Sequence, residues 1–209
     1  MTQQKSFHYT FKNNENETNF FVNKTNFYAF NALINNNNNK FSYLYGPRKC
    51  GKTYLANIWL KKNNAIEYNN NYELILNSRK NVLIDNLSDY NEEKIFYIVN
   101  NCILNKINIL ITSNNKINEI KFRFDDLSSR LKTFSNLVID QPNDEMLLTI
   151  LTKLLVDKQF IINSNDVFEF ILRRVERSYK AIYDIVNKLD VLSLEQKRQL
   201  TIPLVKEIL

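Results

Sequence analysis

The chain of 209 residues is poor in several features that would define other classes of protein. It has two cysteines, Cys50 and Cys102, which are too few for a disulfide framework and are typical of a reducing compartment. It has no run of 18 apolar residues and no apolar signal region in its first residues. We therefore expect a cytoplasmic protein with no membrane partner.

Glycine is unusually scarce. The chain has only Gly46 and Gly51, whereas average usage would give about 15 glycines in a chain of this length. They stand five apart, and Lys52 and Thr53 follow the second. This spacing is typical of a P-loop, in which backbone amides approach phosphate oxygens with no Cβ in the way. Lys52 would reach the β- and γ-phosphates, and the Thr53 hydroxyl would take a Mg²⁺ position. The loop reads Gly46, Pro47, Arg48, Lys49, Cys50, Gly51, Lys52 and Thr53.

The residues around this loop have the pattern that a P-loop requires. An aromatic run with strand character, 41–45, precedes it, and apolar residues at helical spacing, 54–60, follow. A strand, a loop and a helix in this order direct the helix N-terminus at the phosphates. A glycine turn without a ligand is the alternative, but such a turn needs neither the Lys-Thr pair nor the fixed spacing.

The rest of the chain divides into three parts. Residues 1–18 are polar with isolated aromatics and predict an extended arm, while 19–141 predict an α/β nucleotide-binding domain. From 142 the pattern is helical alone, which predicts a small helical domain over 142–209. Strands of a parallel sheet covered on both faces are expected at 42–45, 65–68, 81–85, 107–112 and 137–140, with helices at 92–104 and 125–131.

Two of these strands end in polar residues that suit a nucleotide site. Val82–Asp85 ends in a carboxylate about thirty residues after the P-loop, which predicts a Walker B motif with Asp85 on the Mg²⁺ of a nucleotide. Asn86 stands where a hydrolytic ATPase usually has a second carboxylate, and an amide cannot accept a proton from water. Asn114 follows the next strand and could contact the γ-phosphate, or could only cap the strand end.

Arg130 lies on the expected helix 125–131, where Leu127 and Leu131 should turn inward and leave the arginine facing out. Taken alone, an arginine in this setting is more often a solvated charge.

Several segments together resemble the Hda family, the DnaA-homologous AAA+ regulators of bacterial replication initiation. The resemblance runs from about Phe20 to Leu209. The segments that carry it are 19–26, the P-loop, Ile84-Asp85-Asn86, Ile111-Thr112-Ser113-Asn114, Asp126-Leu127-Ser128-Ser129-Arg130-Leu131 and the terminal stretch 200–209.

The resemblance implies an AAA+ core with a parallel sheet, a small α-helical lid and bound ADP or ATP with Mg²⁺. Asn114 matches sensor 1, and Arg130 matches an arginine finger that acts in trans on the nucleotide of a partner subunit. Lys180 stands at the sensor 2 position, usually arginine, and lacks the planar fork of that side chain. Phe20, Phe21 and Val22 are expected around the adenine base, and Tyr54 is also expected to contact the nucleotide.

The resemblance also implies partners, namely DnaA, the DNA polymerase sliding clamp and, through the clamp, DNA. Gln4 and Phe7 match a clamp-binding peptide, although Lys5 and Ser6 replace the apolar residues expected between them. The implied function is to stimulate, with the DNA-loaded clamp, hydrolysis of DnaA-bound ATP and so limit initiation. The first alternative is a non-enzymatic DnaA-like adaptor, and the second is an autonomous ATPase or clamp-loader subunit. Whether the protein forms a homodimer stays open.

Overall fold

The computed structural model describes residue 17 and residues 20–35, 40–161, 164 and 166–209. The chain separates into two compact units, one within Glu15–Gln141 and one within Pro142–Leu209. Across the described residues, none of the helices combines the length and the apolar character needed to cross a membrane.

The first unit is built on a five-stranded parallel sheet with the order β2-β3-β4-β1-β5. Every residue of β3 and β4 is buried, which explains why these strands are apolar almost throughout. The α/β class and the parallel sheet expected from the sequence are confirmed. The strands are β1 Phe41–Tyr45, β2 Ile66–Glu67, β3 Val82–Ile84, β4 Ile109–Ser113 and β5 Ser135–Val138.

Helices cover both faces of this sheet. Tyr43 of β1, Ile84 of β3 and Ile111 of β4 lie on one face of the sheet and share a core with α3, α4 and α5. α2 packs against β3 and β4 and against the π-helical segment Asn31–Asn35 that continues α1. The helices are α1 Phe27–Phe30, α2 Lys52–Lys62, α3 Tyr72–Ser78, α4 Glu92–Leu104 and α5 Asp125–Leu131.

The second unit consists of helices around its own apolar core, which includes Leu151, Leu155, Ile171 and Leu189. Local signals start these helices. Asn143 Oδ1 accepts a hydrogen bond from the Met146 amide at 2.9 Å, and Ser178 Oγ accepts one from the Ala181 amide at 3.2 Å. A proline lies in the first turn of the last helix. The helices are α6 Asp144–Asp157, α7 Asp166–Leu172, α8 Tyr179–Gln196 and α9 Ile202–Lys206.

The structure differs from the expected elements at several strand boundaries. The strand expected at 65–68 is only two residues long, since β2 lies at the sheet edge and pairs with β3 alone. β4 begins at Ile109 because the amide of Asn108 donates to the side chain of Asn81 instead. α3 was not expected, yet Asn71 caps it by accepting from the Leu74 amide at 3.1 Å.

Candidate nucleotide-binding site

The P-loop connects β1 to α2 at the carboxyl end of the sheet. Gly51 precedes α2 with φ of 95°, a conformation that favours glycine, and Lys49 also has a positive φ of 67°. A Cβ on Gly46 would lie 2.5 Å from the carbonyl oxygen of Ile139. The two glycines therefore allow a loop that side chains would block, and this loop leads directly into the N-terminus of α2, where phosphate groups bind in proteins of this kind. Pro47 is half-buried, and Arg48 and Lys49 are exposed.

The Lys52 side chain is buried, with 8% of its surface exposed, and its ammonium contacts the loop itself. Nζ donates to the carbonyl oxygens of Gly46 at 2.9 Å and Pro47 at 2.8 Å. A buried ammonium needs such acceptors. Lys52 is thus held as a point charge inside the P-loop.

Cys50 lies 3.8 Å from the Lys52 ammonium through its Sγ. Burial raises the pKa of the Cys50 thiol, and the Lys52 charge opposes that rise only in part. The thiol therefore stays protonated, which argues against a nucleophilic role.

Asp85 follows β3, and each of its carboxylate oxygens accepts a hydrogen bond from a threonine hydroxyl. Thr53 Oγ1 donates to Oδ2 at 2.8 Å, and Thr112 Oγ1 donates to Oδ1 at 2.6 Å. The Walker A and Walker B motifs thus meet directly at the carboxyl edge of the sheet. The strands that carry them are not the neighbours that the sequence had suggested, since β4 lies between β1 and β3. Hydroxyl and carboxylate oxygens are ligands that suit Mg²⁺, so the residues present fit this ion. Thr112 was not among the expected site residues. It lies in β4, two positions before the expected site residue Asn114.

Two amide side chains lie beside this carboxylate. Asn86 has a φ of 60°, and its backbone amide donates a hydrogen bond to Thr112 Oγ1 at 2.8 Å. Asn114 Nδ2 lies 3.5 Å from Asn86 Oδ1. The expected sensor 1 residue is therefore near the Walker B end of β3, and an amide occupies the position next to Asp85.

Phe20 lies over the P-loop. Its ring is 3.1 Å from the position of a Cβ on Gly51 and stacks on Phe30 and Tyr54, with ring centroids 5.7 and 5.8 Å apart. Val22 is half-buried, whereas Phe21 is 39% exposed. Phe20 and Tyr54 thus form an aromatic platform at the N-terminus of α2.

Arg130 is half-buried, so its side chain is less exposed than expected. Leu127 and Leu131 do turn inward, and Cζ of the arginine lies 5.9 Å from the ring centroid of Phe96 on α4. Phe96 also stacks on Phe124, and the Phe124 amide donates to Glu92 at 2.8 Å. The arginine therefore rests on an aromatic pair that the helix pattern alone could not reveal.

The remaining expected site residues are Lys180 and the two residues of the clamp-binding peptide. Lys180 is on α8 in the helical unit, exposed, with Nζ 3.8 Å from Asp184. Gln4 and Phe7, with almost all of the expected arm over residues 1–18, lie outside the described residues.

Comparison with known proteins finds similarity over both units of the chain. A family model described as the lid domain of Hda matches residues 144–209. The chromosomal replication initiator DnaA of Buchnera aphidicola from Cinara cedri is 25% identical over 211 residues, covering 87% of this chain. The chain spans about half of that DnaA, 48% of its length.

The fold has close counterparts among solved structures. Domain III of Thermotoga maritima DnaA superposes with a TM-score of 0.73 at 19% identity, covering 92% of this chain and 94% of that one. AMPPCP-bound DnaA of Aquifex aeolicus superposes with a TM-score of 0.67 at 18% identity, covering 87% and 67%. The chain therefore has the fold of DnaA-like AAA+ proteins, and its residues 144–209 match the lid domain of Hda.

Proposed function

We propose that this protein binds ADP or ATP with Mg²⁺ at the P-loop. The observation that carries this proposal is the direct contact between Thr53 and Asp85 beside a glycine loop that encloses the Lys52 ammonium. In this assignment Lys52 would neutralise phosphate charge, and Thr53 and Asp85 would hold the Mg²⁺ ion. The aromatic platform of Phe20 and Tyr54 supports the adenine end. A similar AAA+ fold, the Aquifex DnaA, was crystallised with AMPPCP.

In the proposed function, this chain alone hydrolyses its bound ATP slowly. The position after Asp85 carries Asn86, whose amide accepts no proton from an attacking water. Asn114 is also an amide, and it can orient a water but cannot deprotonate it. Bound nucleotide therefore serves as a structural and regulatory ligand.

The activity proposed for the protein is exerted on DnaA. Arg130 lies on α5, which shares the core on one sheet face, whereas α2 and its P-loop lie against the other. An arginine in that position suits the nucleotide of a partner better than its own. Delivered to a DnaA-bound ATP, it stabilises the charge of the transition state, and such fingers raise turnover by about 10³ to 10⁵.

The sliding clamp on DNA is the proposed platform for this reaction, with the arm that contains Gln4 and Phe7 as the docking peptide. The complex would act in the cytoplasm to limit initiation. These assignments follow the sequence resemblance and the lid match at residues 144–209.

The test is hydrolysis of radiolabelled ATP bound to DnaA, with this protein, clamp and DNA added singly and together. We expect acceleration only when all are present. Nucleotide extracted from the purified protein, identified by chromatography, tests the site separately. Binding to DnaA with no acceleration would instead support the adaptor function.

A further inference from the structure

The amino-terminal edge of the sheet, opposite the P-loop, carries cations ahead of every strand. We call this surface the basic edge. All its members are exposed: Lys40, Lys61, Lys62, Arg79, Lys80, Lys106 and Lys132.

The strand register aligns these cations in a row. Phe41 pairs with Ile109, Ile109 with Val82, and Val82 with Ile66, so the strands start at nearly the same level. Each strand has a lysine one to four residues before its start, in the spatial order Lys62, Lys80, Lys106, Lys40 and Lys132. Since neighbouring strands lie about 4.8 Å apart, the row is about 19 Å long.

Side-chain amides fix the loops that carry this row. Asn81 Nδ2 donates to the carbonyl of Asn63 at 2.9 Å, and its Oδ1 accepts from the Asn108 amide at 3.1 Å. The Ile109 amide donates to the carbonyl of Lys40 at 2.8 Å. The loops before β1, β2, β3 and β4 are thus tied to one another or to the neighbouring strand, which holds the backbone under the cations in place.

Carboxylates do not balance the basic edge. The sequence has no Asp or Glu at 62–65, 79–81, 105–108 or 132–134, and Glu17 pairs with Lys62 at 3.2 Å. Residues 142–209 have ten Lys or Arg and ten Asp or Glu, so the whole formal charge of +6 lies in residues 1–141.

The ends of helices explain only part of this charge. α2, α3, α4 and α5 end at this edge, and each C-terminus has about half a negative charge, or about two in total. Even with Lys61 left aside, the other six cations exceed what those helix ends and Glu17 offset.

We propose that the basic edge binds the phosphate backbone of duplex DNA without reading its sequence. A duplex has one charge per roughly 1.7 Å of axis, so the row would lie beside about eleven phosphates. Lysine ammonium groups contact phosphates as point charges and do not specify bases. Among the described residues of these loops no aromatic side chain is exposed, so unpaired bases have no stacking surface. Direct DNA contact here is independent of the nucleotide and of Arg130.

The test measures binding of a labelled duplex of mixed sequence to the full chain, by fluorescence anisotropy between about 50 and 200 mM salt. The variant carries Lys80→Gln, Lys106→Gln and Lys132→Gln. Each lost phosphate contact lowers the slope of log affinity against log salt by about 0.9, so the slope should fall by about 2 to 3. At roughly 0.1 M salt the affinity should fall at least 30-fold.

A matched variant separates this surface from net charge. Lys24→Gln, Lys116→Gln and Lys121→Gln remove three exposed lysines near the carboxyl end of the sheet, and this variant should bind DNA almost as wild type does. Melting curves verify that both variants fold.

Four results would overturn the proposal. They are no duplex binding by wild type, equal losses in the two variants, tighter binding of the single strand than of the duplex, and preference for vesicles of anionic phospholipid over DNA.

Discussion

The hydroxyl of Thr112 donates a 2.6 Å hydrogen bond to Oδ1 of Asp85 and, with 1% of Thr112 exposed, does so out of contact with water. The oxygen of the Thr112 hydroxyl in turn accepts a hydrogen bond from the backbone amide of Asn86. One buried hydroxyl therefore fixes both the carboxylate of the Walker B strand and the residue after it. This leaves Oδ2 facing Thr53 in the P-loop.

Replacing Thr112 with valine should weaken the Mg²⁺-dependent part of nucleotide binding, because Asp85 loses the bond that orients it. Unfolding free energy should fall by about 1 to 3 kcal/mol, since the Asn86 amide loses its acceptor. ADP affinity measured with Mg²⁺ and with chelator gives the first quantity, and chemical denaturation gives the second. Thr112→Ser retains the hydroxyl and should restore both; an unchanged Mg²⁺ effect in Thr112→Val would exclude this role.

Lys52→Ala should lower affinity for ADP and ATP by about 10- to 100-fold, because a charge-assisted contact to phosphate is lost. Titration calorimetry measures the loss. Lys62→Ala removes an exposed lysine from the same helix and should bind nucleotide as wild type does. Equal affinity in wild type and Lys52→Ala would be incompatible with the phosphate site.

Gly46→Ala should destabilise the first unit by about 1 to 3 kcal/mol, since the added methyl meets the backbone oxygen of Ile139, which cannot move aside as a side chain would. Gly51→Ala should cost about 1 to 2 kcal/mol for another reason, its left-handed conformation. Thermal and urea unfolding provide the measurement. Wild-type stability in Gly46→Ala would show that the loop has room for a Cβ.

Arg130→Ala should reduce stimulation of DnaA-bound ATP hydrolysis by about 10³-fold or more while nucleotide content is retained. The cost to folding should stay under about 1 kcal/mol, the range of a single contact between a cation and an aromatic ring. Arg123→Ala, an exposed arginine just before the same helix, is the control and should stimulate normally. Full stimulation by Arg130→Ala would remove it from the mechanism, and a large drop in melting temperature would assign it a structural role.

Deleting residues 1–12 should abolish retention on immobilised sliding clamp, and Phe7→Ala should reduce it strongly. Lys5→Leu should strengthen retention, because an apolar residue is expected at that position. Clamp pull-down with purified proteins is the measurement. Retention that survives the deletion would mean that another surface contacts the clamp.

Sequence alone was sufficient for much of the architecture. Helix α4, at Glu92–Leu104, and helix α5, at Asp125–Leu131, have the bounds that their periodicity predicts. The P-loop could be identified because its residues are contiguous and because glycine is otherwise missing from the chain. Helix caps and apolar stripes act over a few residues, so they can be read locally.

Tertiary structure alone decided the features that join distant parts of the chain. Thr112 contacts Asp85 across 27 positions, and Arg130 reaches Phe96 across 34. The basic edge exists only because parallel pairing brings the starts of five strands to one level. Strand order and register depend on packing between segments far apart in sequence, and local periodicity does not encode that pairing. Residue types and spacings determined that this chain has a P-loop, whereas the fold determined which side chains surround it.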